Sequence, residues 1–188
     1  MKRILILVVG LLLVGLSFAP ANADLGGSAV ASVLVTVSPN IAITPLSPIV
    51  DAGTVQSGDF TATLVFAIGA NMESIKMFVE GSSLYKGDNP LDNTVSPIGI
   101  NVTKPVGITI QFGNRMNGLP NQAAWTSVVG APIGAYPTLS TETVQYESSQ
   151  NGHFSQNVSL VLTYSQPDPE KPQGQYSGKV RLNVLLPL

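Results

Sequence analysis

The sequence of 188 residues contains no cysteine, a single histidine and few charged residues, which make up 11% of the chain. Without cysteine there is no disulfide and no thiol chemistry, so packing and strand pairing alone must hold the fold. The charge is weakly acidic, with a formal net charge of −2. Nucleic acids and anionic membranes call for clustered Lys and Arg, so we expect neither as a partner.

A helical period is also missing, because no long segment after residue 23 repeats its apolar residues every 3.6 positions. Apolar residues instead alternate with polar ones, which is typical of strands that bury one face. The alternation predicts strands over residues 60–68, 75–79, 106–112 (through Val106, Ile108, Ile110 and Phe112), 158–164 and 180–186, with irregular chain over 113–138 and a surface loop over 166–174. Many short strands in a turn-rich chain predict an all-β fold, an immunoglobulin-like Greek-key β-sandwich.

The first residues have the layout of a secretory signal peptide. Lys2 and Arg3 precede an apolar block over residues 4–18, and Ala21 and Ala23 supply the small residues that a signal peptidase reads. The apolar block is too short to be a convincing membrane span. We therefore expect residues 1–23 to be removed during export, and residues 24–188 to form a single domain without a membrane span.

Catalytic and metal-binding chemistry has few candidates in this sequence. His153 lies among serines, but its surroundings are typical of a solvated turn rather than of a catalytic triad. Residues 88–93 (Asp-Asn-Pro-Leu-Asp-Asn) gather oxygen ligands that suit Ca²⁺, although Asp and Asn are also common turn formers. Glu142 and Glu147 are an odd number of residues apart, so an intact strand would point them to opposite faces. The sequence predicts neither an enzyme nor a bound cofactor.

Three aromatic residues, Trp125, Tyr136 and Tyr146, suit two different roles. Their rings could line a carbohydrate-binding face on a self-contained, monomeric binding module. Alternatively, they could fill the core of the sandwich or cover its end. The sequence favours the core but leaves both roles open.

The segment near the predicted mature N-terminus also alternates with a period of two residues. Its odd positions from Ala31 to Ile43 are apolar apart from Pro39, and its even positions are mostly small or polar, with Leu34 as the exception. One face of a long extended strand over residues 31–43 can therefore be buried. Proline has no amide hydrogen, so we expect Pro39 at an edge, a bend or a strand junction.

Two stretches together carry a family resemblance. Residues 33–41 (Val-Leu-Val-Thr-Val-Ser-Pro-Asn-Ile) form an alternating strand broken by proline, and residues 174–182 (Gly-Gln-Tyr-Ser-Gly-Lys-Val-Arg-Leu) form a turn followed by a final alternating strand. This pairing resembles fimbrial subunits assembled by the chaperone–usher pathway. It is most similar to the cysteine-free major subunits of the colonization-factor (alpha) fimbriae, and more loosely to the spore coat protein U group.

The resemblance implies a structural subunit of a bacterial surface fibre. Such subunits are incomplete sandwiches whose groove is filled by the N-terminal strand of the next copy, so main-chain hydrogen bonds and side-chain pockets make the joint. Here the donor segment would be residues 24–38, with Ala31, Val33, Val35 and Val37 as its inward side chains. The implied partners are neighbouring or related fimbrial subunits, a periplasmic chaperone and an outer-membrane usher, on a route from the periplasm to the cell surface. Whether the segment pairs within its own domain or with another copy is left open.

Overall fold

A computed structural model of the protein describes residues 30–186. The predicted signal peptide and the first part of the donor segment, residues 24–29, lie outside the described residues. The chain divides into two units between Val37 and Ser38. The described part of the chain contains the following strands: β1 (Ile41–Pro45), β2 (Gly58–Ala70), β3 (Ser74–Ser82), β4 (Tyr85–Lys86), β5 (Gly99–Ile100), β6 (Val106–Ile110), β7 (Gly113–Arg115), β8 (Gln122–Ala123), β9 (Trp125–Ile133), β10 (Tyr136–Thr141), β11 (Val144–Ser148), β12 (Phe154–Gln166), β13 (Tyr176–Ser177) and β14 (Val180–Leu185).

The first sheet is built on a pair of long antiparallel strands. β2 and β12 pair along their full length, from Ala70 opposite Phe154 to Gly58 opposite Gln166. The strand order is β1-β2-β12-β6-β8, and the short β5 also pairs with β12. All of these pairs are antiparallel.

The second sheet is centred on β3. One edge of β3 pairs with β11 and then with β10, while β14 runs along residues 76–81 of the same strand. Lys76 and Glu80 each face a partner in β14 and another in β11 or β10, so β14 lies on the opposite edge of β3. β7 extends the sheet beyond β11, β9 extends it beyond β10, and β4 and β13 form a separate two-stranded ribbon.

One hydrophobic core lies between the two sheets. Alternate residues of β2, β6 and β12 from the first sheet and of β3, β11 and β14 from the second contribute to it. The largest fully buried side chains belong to Tyr146, Phe154, Ile75, Met77, Ile108 and Leu160. The prediction of an all-β sandwich is confirmed, whereas its immunoglobulin-like Greek-key order stays a prediction.

The structure corrects two of the local predictions. Residues 113–138, predicted to be irregular, contain β7, β8, β9 and the start of β10. Two register shifts interrupt the β9–β10 pairing, and this edge strand exposes Val128 and Val129 in succession, so its sequence does not alternate. Phe112, predicted to be buried, is 45% exposed because β6 ends at Ile110 and the chain bends there.

The first strand covers only the end of the predicted N-terminal segment. The alternation predicts an extended strand over residues 31–43, interrupted at Pro39, but β1 begins at Ile41, and residues 30–40 have no regular secondary structure. The alternating valines before Ser38 are largely exposed, with Val33 at 94% and Val35 at 88%. Pro39 lies just before β1, as expected for a residue that cannot donate to a ladder. The alternation therefore marks a segment with no buried face in this chain.

Candidate functional site

The inner face of β2 is covered along only half its length. Phe66, Ile68 and Ala70 are buried, and here β1 pairs with the outer edge of β2. Farther toward the start of the strand, Phe60, Ala62 and Leu64 point to the same face but are only half-buried. β1 pairs with β2 only as far as Phe66, and Leu46 adds one hydrogen bond to the Val65 carbonyl. Among the described residues, none pairs with this edge over residues 58–64, and the apolar face there is incompletely covered.

The opposite sheet also ends in an unpaired edge beside this face. Among the described residues, β14 pairs only with β3. Its inward residues Val180 and Val184 are half-buried, in contrast to Leu182, which is 5% exposed. The outer edge of β14 is a row of backbone donors and acceptors suited to pairing with a further strand.

An open groove of about 970 Å³ lies beside residues 60–64 of β2 and reaches the start of β14 at Val180. Apolar side chains line its floor, namely those of Phe60, Ala62, Leu64, Leu84, Ile98 and Tyr164. One wall is formed by residues 48–55 and the other by residues 174–180. The apolar floor beside two backbone edges is the arrangement expected of a site that binds an extended apolar peptide.

The first wall belongs to the long connection between β1 and β2. Within the described residues, the connection is tied at its ends, where Leu46 donates to the Val65 carbonyl and Gln166 donates to the Gln56 carbonyl over 3.2 Å. An Asx turn, in which the Gly53 N–H donates to the Asp51 carboxylate over 2.8 Å, shapes its middle. Ile49 is 89% exposed, so this wall presents apolar surface to solvent.

The second wall is the turn that leads into β14, the same stretch that carries the family resemblance. Gly178 packs so closely that a Cβ there would lie 2.7 Å from the Ser83 carbonyl oxygen, so only glycine fits. Ser82 fastens the next residue, because its hydroxyl accepts a hydrogen bond from the Lys179 N–H over 2.8 Å. The hydroxyl of Tyr176 donates to the Pro172 carbonyl over 2.8 Å. Gly178 and Tyr176 of this motif, together with Ser82 at the end of β3, therefore fix the backbone that leads into the open edge.

Asp88 also holds the second wall in place. Its carboxylate accepts hydrogen bonds from the Ser177 hydroxyl, over 2.5 Å, and from the Tyr136 hydroxyl, and it lies 3.9 Å from the Lys179 ammonium. The bonds from Ser177 and Tyr136 hold the pKa of Asp88 below its ordinary value. Burial and the bond to Asp88 raise the pKa of Tyr136. This cluster positions the turn beside the groove.

On its outer face β14 is held by a buried carboxylate. Glu80 on β3 is 4% exposed and accepts hydrogen bonds from Arg181, Asn183 and the Ala131 N–H, over 2.7, 2.8 and 2.6 Å. Arg181 also donates to the Ala131 carbonyl over 2.8 Å. Burial alone would raise the pKa of Glu80, but these bonds, led by that of Asn183, hold it below its ordinary value. Glu80 thus links the open edge strand to Ala131 on β9.

The four predicted donor residues all fall within the described part of the chain. Ala31, Val33, Val35 and Val37 are exposed, the last at 74%. Leu34, on the other face of the alternation, is exposed to the same degree as Val33, at 94%. Their assignment as inward side chains of a donor strand stays a prediction.

The candidates for catalysis lie apart from the groove. His153 is in the exposed turn before β12, where its ring contacts the Asn151 carbonyl at 3.2 Å. Glu142 forms an ion pair with Arg115 at 3.1 Å. Glu147 is exposed on β11 and contributes to no such pair among the described residues. The two glutamates do not form a carboxylate pair.

The three aromatic candidates belong to the packed interior rather than to one exposed face. Tyr146 is fully buried, and burial raises the pKa of its hydroxyl. Tyr136 is 6% exposed and meets Tyr85 edge to face, with ring centroids 5.7 Å apart. Trp125 packs against the core, and its indole N–H is buried without a hydrogen-bond partner in the described structure. A sugar-binding aromatic platform is therefore absent at these residues.

The loop over residues 88–93 has its carboxylates engaged by protein donors. Besides the bonds to Asp88, Asp92 accepts from the N–H and the hydroxyl of Thr94 over 2.9 and 2.6 Å, which lowers its pKa. Across the part of the chain that the structure describes, no three His, Cys, Asp or Glu side chains lie close enough to hold a metal ion. No helix among the described residues has the length and apolarity needed to cross a membrane.

Comparison with models of known protein families and with curated proteins finds no match to this chain. The groove and the exposed apolar segment before Ser38 are therefore the observations from which a function can be inferred.

Proposed function

We propose that this protein is the structural subunit of a bacterial surface fibre, built by inserting residues 31–37 of one copy into the groove of the next. The observation that carries the proposal is the half-covered inner face of β2 beside the unpaired edge of β14. The sandwich has room for one more strand, and the chain carries an exposed segment with the alternation of a strand.

The lengths of the two elements support the pairing. Residues 31–37 span about 20 Å when extended at about 3.3 Å per residue, and Val180–Leu185 span about 17 Å. Pairing along β14 would leave the odd residues of the segment on one face, directed toward the apolar floor. The even residues Ser32, Leu34 and Thr36 would then face away from the floor.

Insertion into another copy is favoured over insertion into the same copy. Ser38 is held at Asn71, whose side-chain nitrogen lies 2.9 Å from the Ser38 carbonyl oxygen. Seven residue steps along β2 separate Asn71 from Leu64, the nearest floor residue on that strand, a distance of about 23 Å. Val37 is a single step of about 3.8 Å from Ser38, so it cannot reach the floor of its own groove while this contact is intact. A second copy meets no such limit.

The expected energy suits a durable joint without covalent links. Burying three valines contributes about 1.5–3 kcal/mol each, before the hydrogen bonds to β14 are counted. Ordering the exposed segment opposes this gain, so the sum is an upper value. Because the chain has no cysteine, the joint would depend on these contacts alone.

An open apolar groove and an unpaired edge strand also call for protection before assembly, since both promote aggregation. We propose that the exported subunit meets a periplasmic chaperone that covers the groove, and then an outer-membrane usher at which one copy replaces the chaperone with its own segment. No cofactor and no catalytic step enter this assembly.

The test is a matched pair of variants in the donor segment. Val35→Asp places a charge on the face directed to the floor, whereas Thr36→Asp places the same charge on the opposite face. We expect Thr36→Asp to assemble like the wild type, and Val35→Asp to remain a monomer, because a buried unpaired carboxylate costs more than the roughly 1.5–3 kcal/mol that the valine contributes. On denaturing gels run without boiling, the wild type and Thr36→Asp should give a ladder of bands that collapses to one band on boiling. Val35→Asp should give a single monomer band in both cases.

Mixing gives a second readout of the same variants. Val35→Asp retains its groove and should accept a wild-type segment, so small amounts should shorten wild-type fibres by ending their growth. Fibres of normal length from Val35→Asp alone would contradict the proposal, as would a wild-type protein that remains a single monomer band without boiling.

A further inference from the structure

We infer that Asn71 acts as a clamp on the segment that joins neighbouring subunits and so sets the stiffness of the fibre. This inference rests on the proposed function. It concerns Ser38, Pro39 and Asn40, the three residues between the predicted donor side chain Val37 and the start of β1 at Ile41.

Asn71 lies in the turn between β2 and β3 and contacts this joining segment three times. Its side-chain oxygen accepts a hydrogen bond from the Asn40 N–H over 2.7 Å, and its side-chain nitrogen donates to the Ser38 carbonyl over 2.9 Å. Its own N–H donates to the Asn40 carbonyl over 3.3 Å. One side chain therefore bridges both ends of the three-residue segment and supplements the β1–β2 ladder, which begins at the adjacent pair Ile41 and Ala70.

The clamp leaves little freedom in the joint. Proline fixes the backbone angle φ of residue 39, and the bonds from Asn71 restrain the residues on either side of it. When residues 31–37 are held in the next subunit, free rotation is confined to the bonds between Val37 and Ser38. A short restrained connection transmits orientation, whereas a free one behaves as a flexible linker. Consecutive subunits should therefore keep a nearly constant angle.

The amide of Asn71 is suited to this task because it presents an acceptor and a donor together. Alanine removes both side-chain bonds but keeps the bond from the residue 71 N–H. Aspartate keeps an acceptor for the Asn40 N–H but cannot donate to the Ser38 carbonyl. The two variants therefore separate the contributions of the two ends of the clamp.

The experiment compares fibres of wild type, Asn71→Ala, Asn71→Asp and Asn93→Ala by electron microscopy. Asn93 is exposed and makes no side-chain hydrogen bond among the described residues, so it serves as the matched control. The persistence length of each fibre is measured from its contour. The stability of the joint between subunits is measured separately, as the temperature at which the ladder on a gel collapses to one band. We expect Asn71→Ala to shorten the persistence length about twofold or more, because the restrained segment becomes a flexible one. Asn71→Asp should fall between it and the wild type, while all four proteins keep the same collapse temperature.

The outcomes separate this inference from the proposed function. If Asn71→Ala fibres are as stiff as the wild type, Asn71 is not the clamp, although the strand-exchange proposal stands. If Asn71→Ala melts as a normal monomer but forms no fibres, Asn71 is needed for assembly itself and its role in stiffness is overturned. If the wild type forms no fibres at all, the proposed function fails and the clamp has no joint to stiffen.

Discussion

The two halves of β2 carry the same kind of inward side chains in different surroundings. Phe66, Ile68 and Ala70 lie where β1 flanks the strand and are buried, whereas Phe60, Ala62 and Leu64 line an open groove. Both halves pair with β12 on their other edge. Within the described residues, the difference therefore comes from the other edge of β2, where a strand pairs with one half and none pairs with the other. The proposed function assigns this place to residues 31–37 of another copy, whose sequence alternates as a strand does.

The largest effect on the single subunit should come from the covered half. Phe66→Ala empties a packed site and should lower the free energy of unfolding by about 3–5 kcal/mol. Phe60→Ala removes a ring that is only half-buried and stacks on Tyr164 with ring centroids 5.7 Å apart, so its cost in the monomer should be about half as large. Denaturant unfolding of both variants in the monomeric Val35→Asp background would measure this contrast.

The same pair of variants sharpens the contrast in the fibre. Once residues 31–37 cover the groove, Phe60 should become as important as Phe66, so Phe60→Ala fibres should dissociate at a clearly lower temperature than wild-type fibres. Equal costs for the two variants in the monomer would mean that the two halves of β2 are covered alike, contrary to this account.

A smaller loss of stability should follow from substituting Glu80, whose carboxylate accepts hydrogen bonds from the outer face of β14. Glu80→Gln weakens charged hydrogen bonds to Arg181 and Asn183 and should lower the free energy of unfolding at neutral pH by about 1–3 kcal/mol. The pKa of Glu80 is lower in the folded than in the unfolded chain, so its contribution is present above the unfolded value near 4.5 and lost as the pH falls through the folded value.

The pH dependence of unfolding tests the role of the Glu80 carboxylate. Unfolding followed from pH 7 to pH 3 should show a flatter acid limb for Glu80→Gln than for the wild type. The control Glu147→Gln, at an exposed position on β11, should stay within about 0.5 kcal/mol of the wild type at pH 7. An unchanged acid limb in Glu80→Gln would show that the carboxylate does not support β14.

Strict alternation allowed much of the fold to be predicted from the sequence. The predicted strands at 60–68, 75–79, 106–112, 158–164 and 180–186 all correspond to observed strands, because each buries one face against the common core. β9 was not predicted, because the apolar and polar residues of an edge strand with register shifts need not alternate. Its exposed pair, Val128 and Val129, gives no period-two signal.

The family resemblance implies a groove, but the position of the groove along β2 could not be predicted from the residue pattern, for a physical reason. Phe60, Ala62 and Leu64 alternate as regularly as Phe66, Ile68 and Ala70, so the pattern reports which face is inward but not whether a neighbouring strand covers it. The same limit applies to residues 31–37, whose alternation fits pairing in either chain. The proposal that the segment pairs with another copy is supported by the register of β1 and the contact of Ser38 with Asn71.

The most direct test of the account is hydrogen exchange on the monomeric Val35→Asp subunit, with and without a synthetic peptide of residues 28–38. The account predicts that the peptide slows exchange at amides of β14 and leaves β9, which is an edge strand of the same sheet, unchanged. The same peptide carrying aspartate at position 35 should have no effect. Unchanged exchange in β14, or protection confined to β9, would contradict the claim that this edge and its groove receive the strand of a second copy.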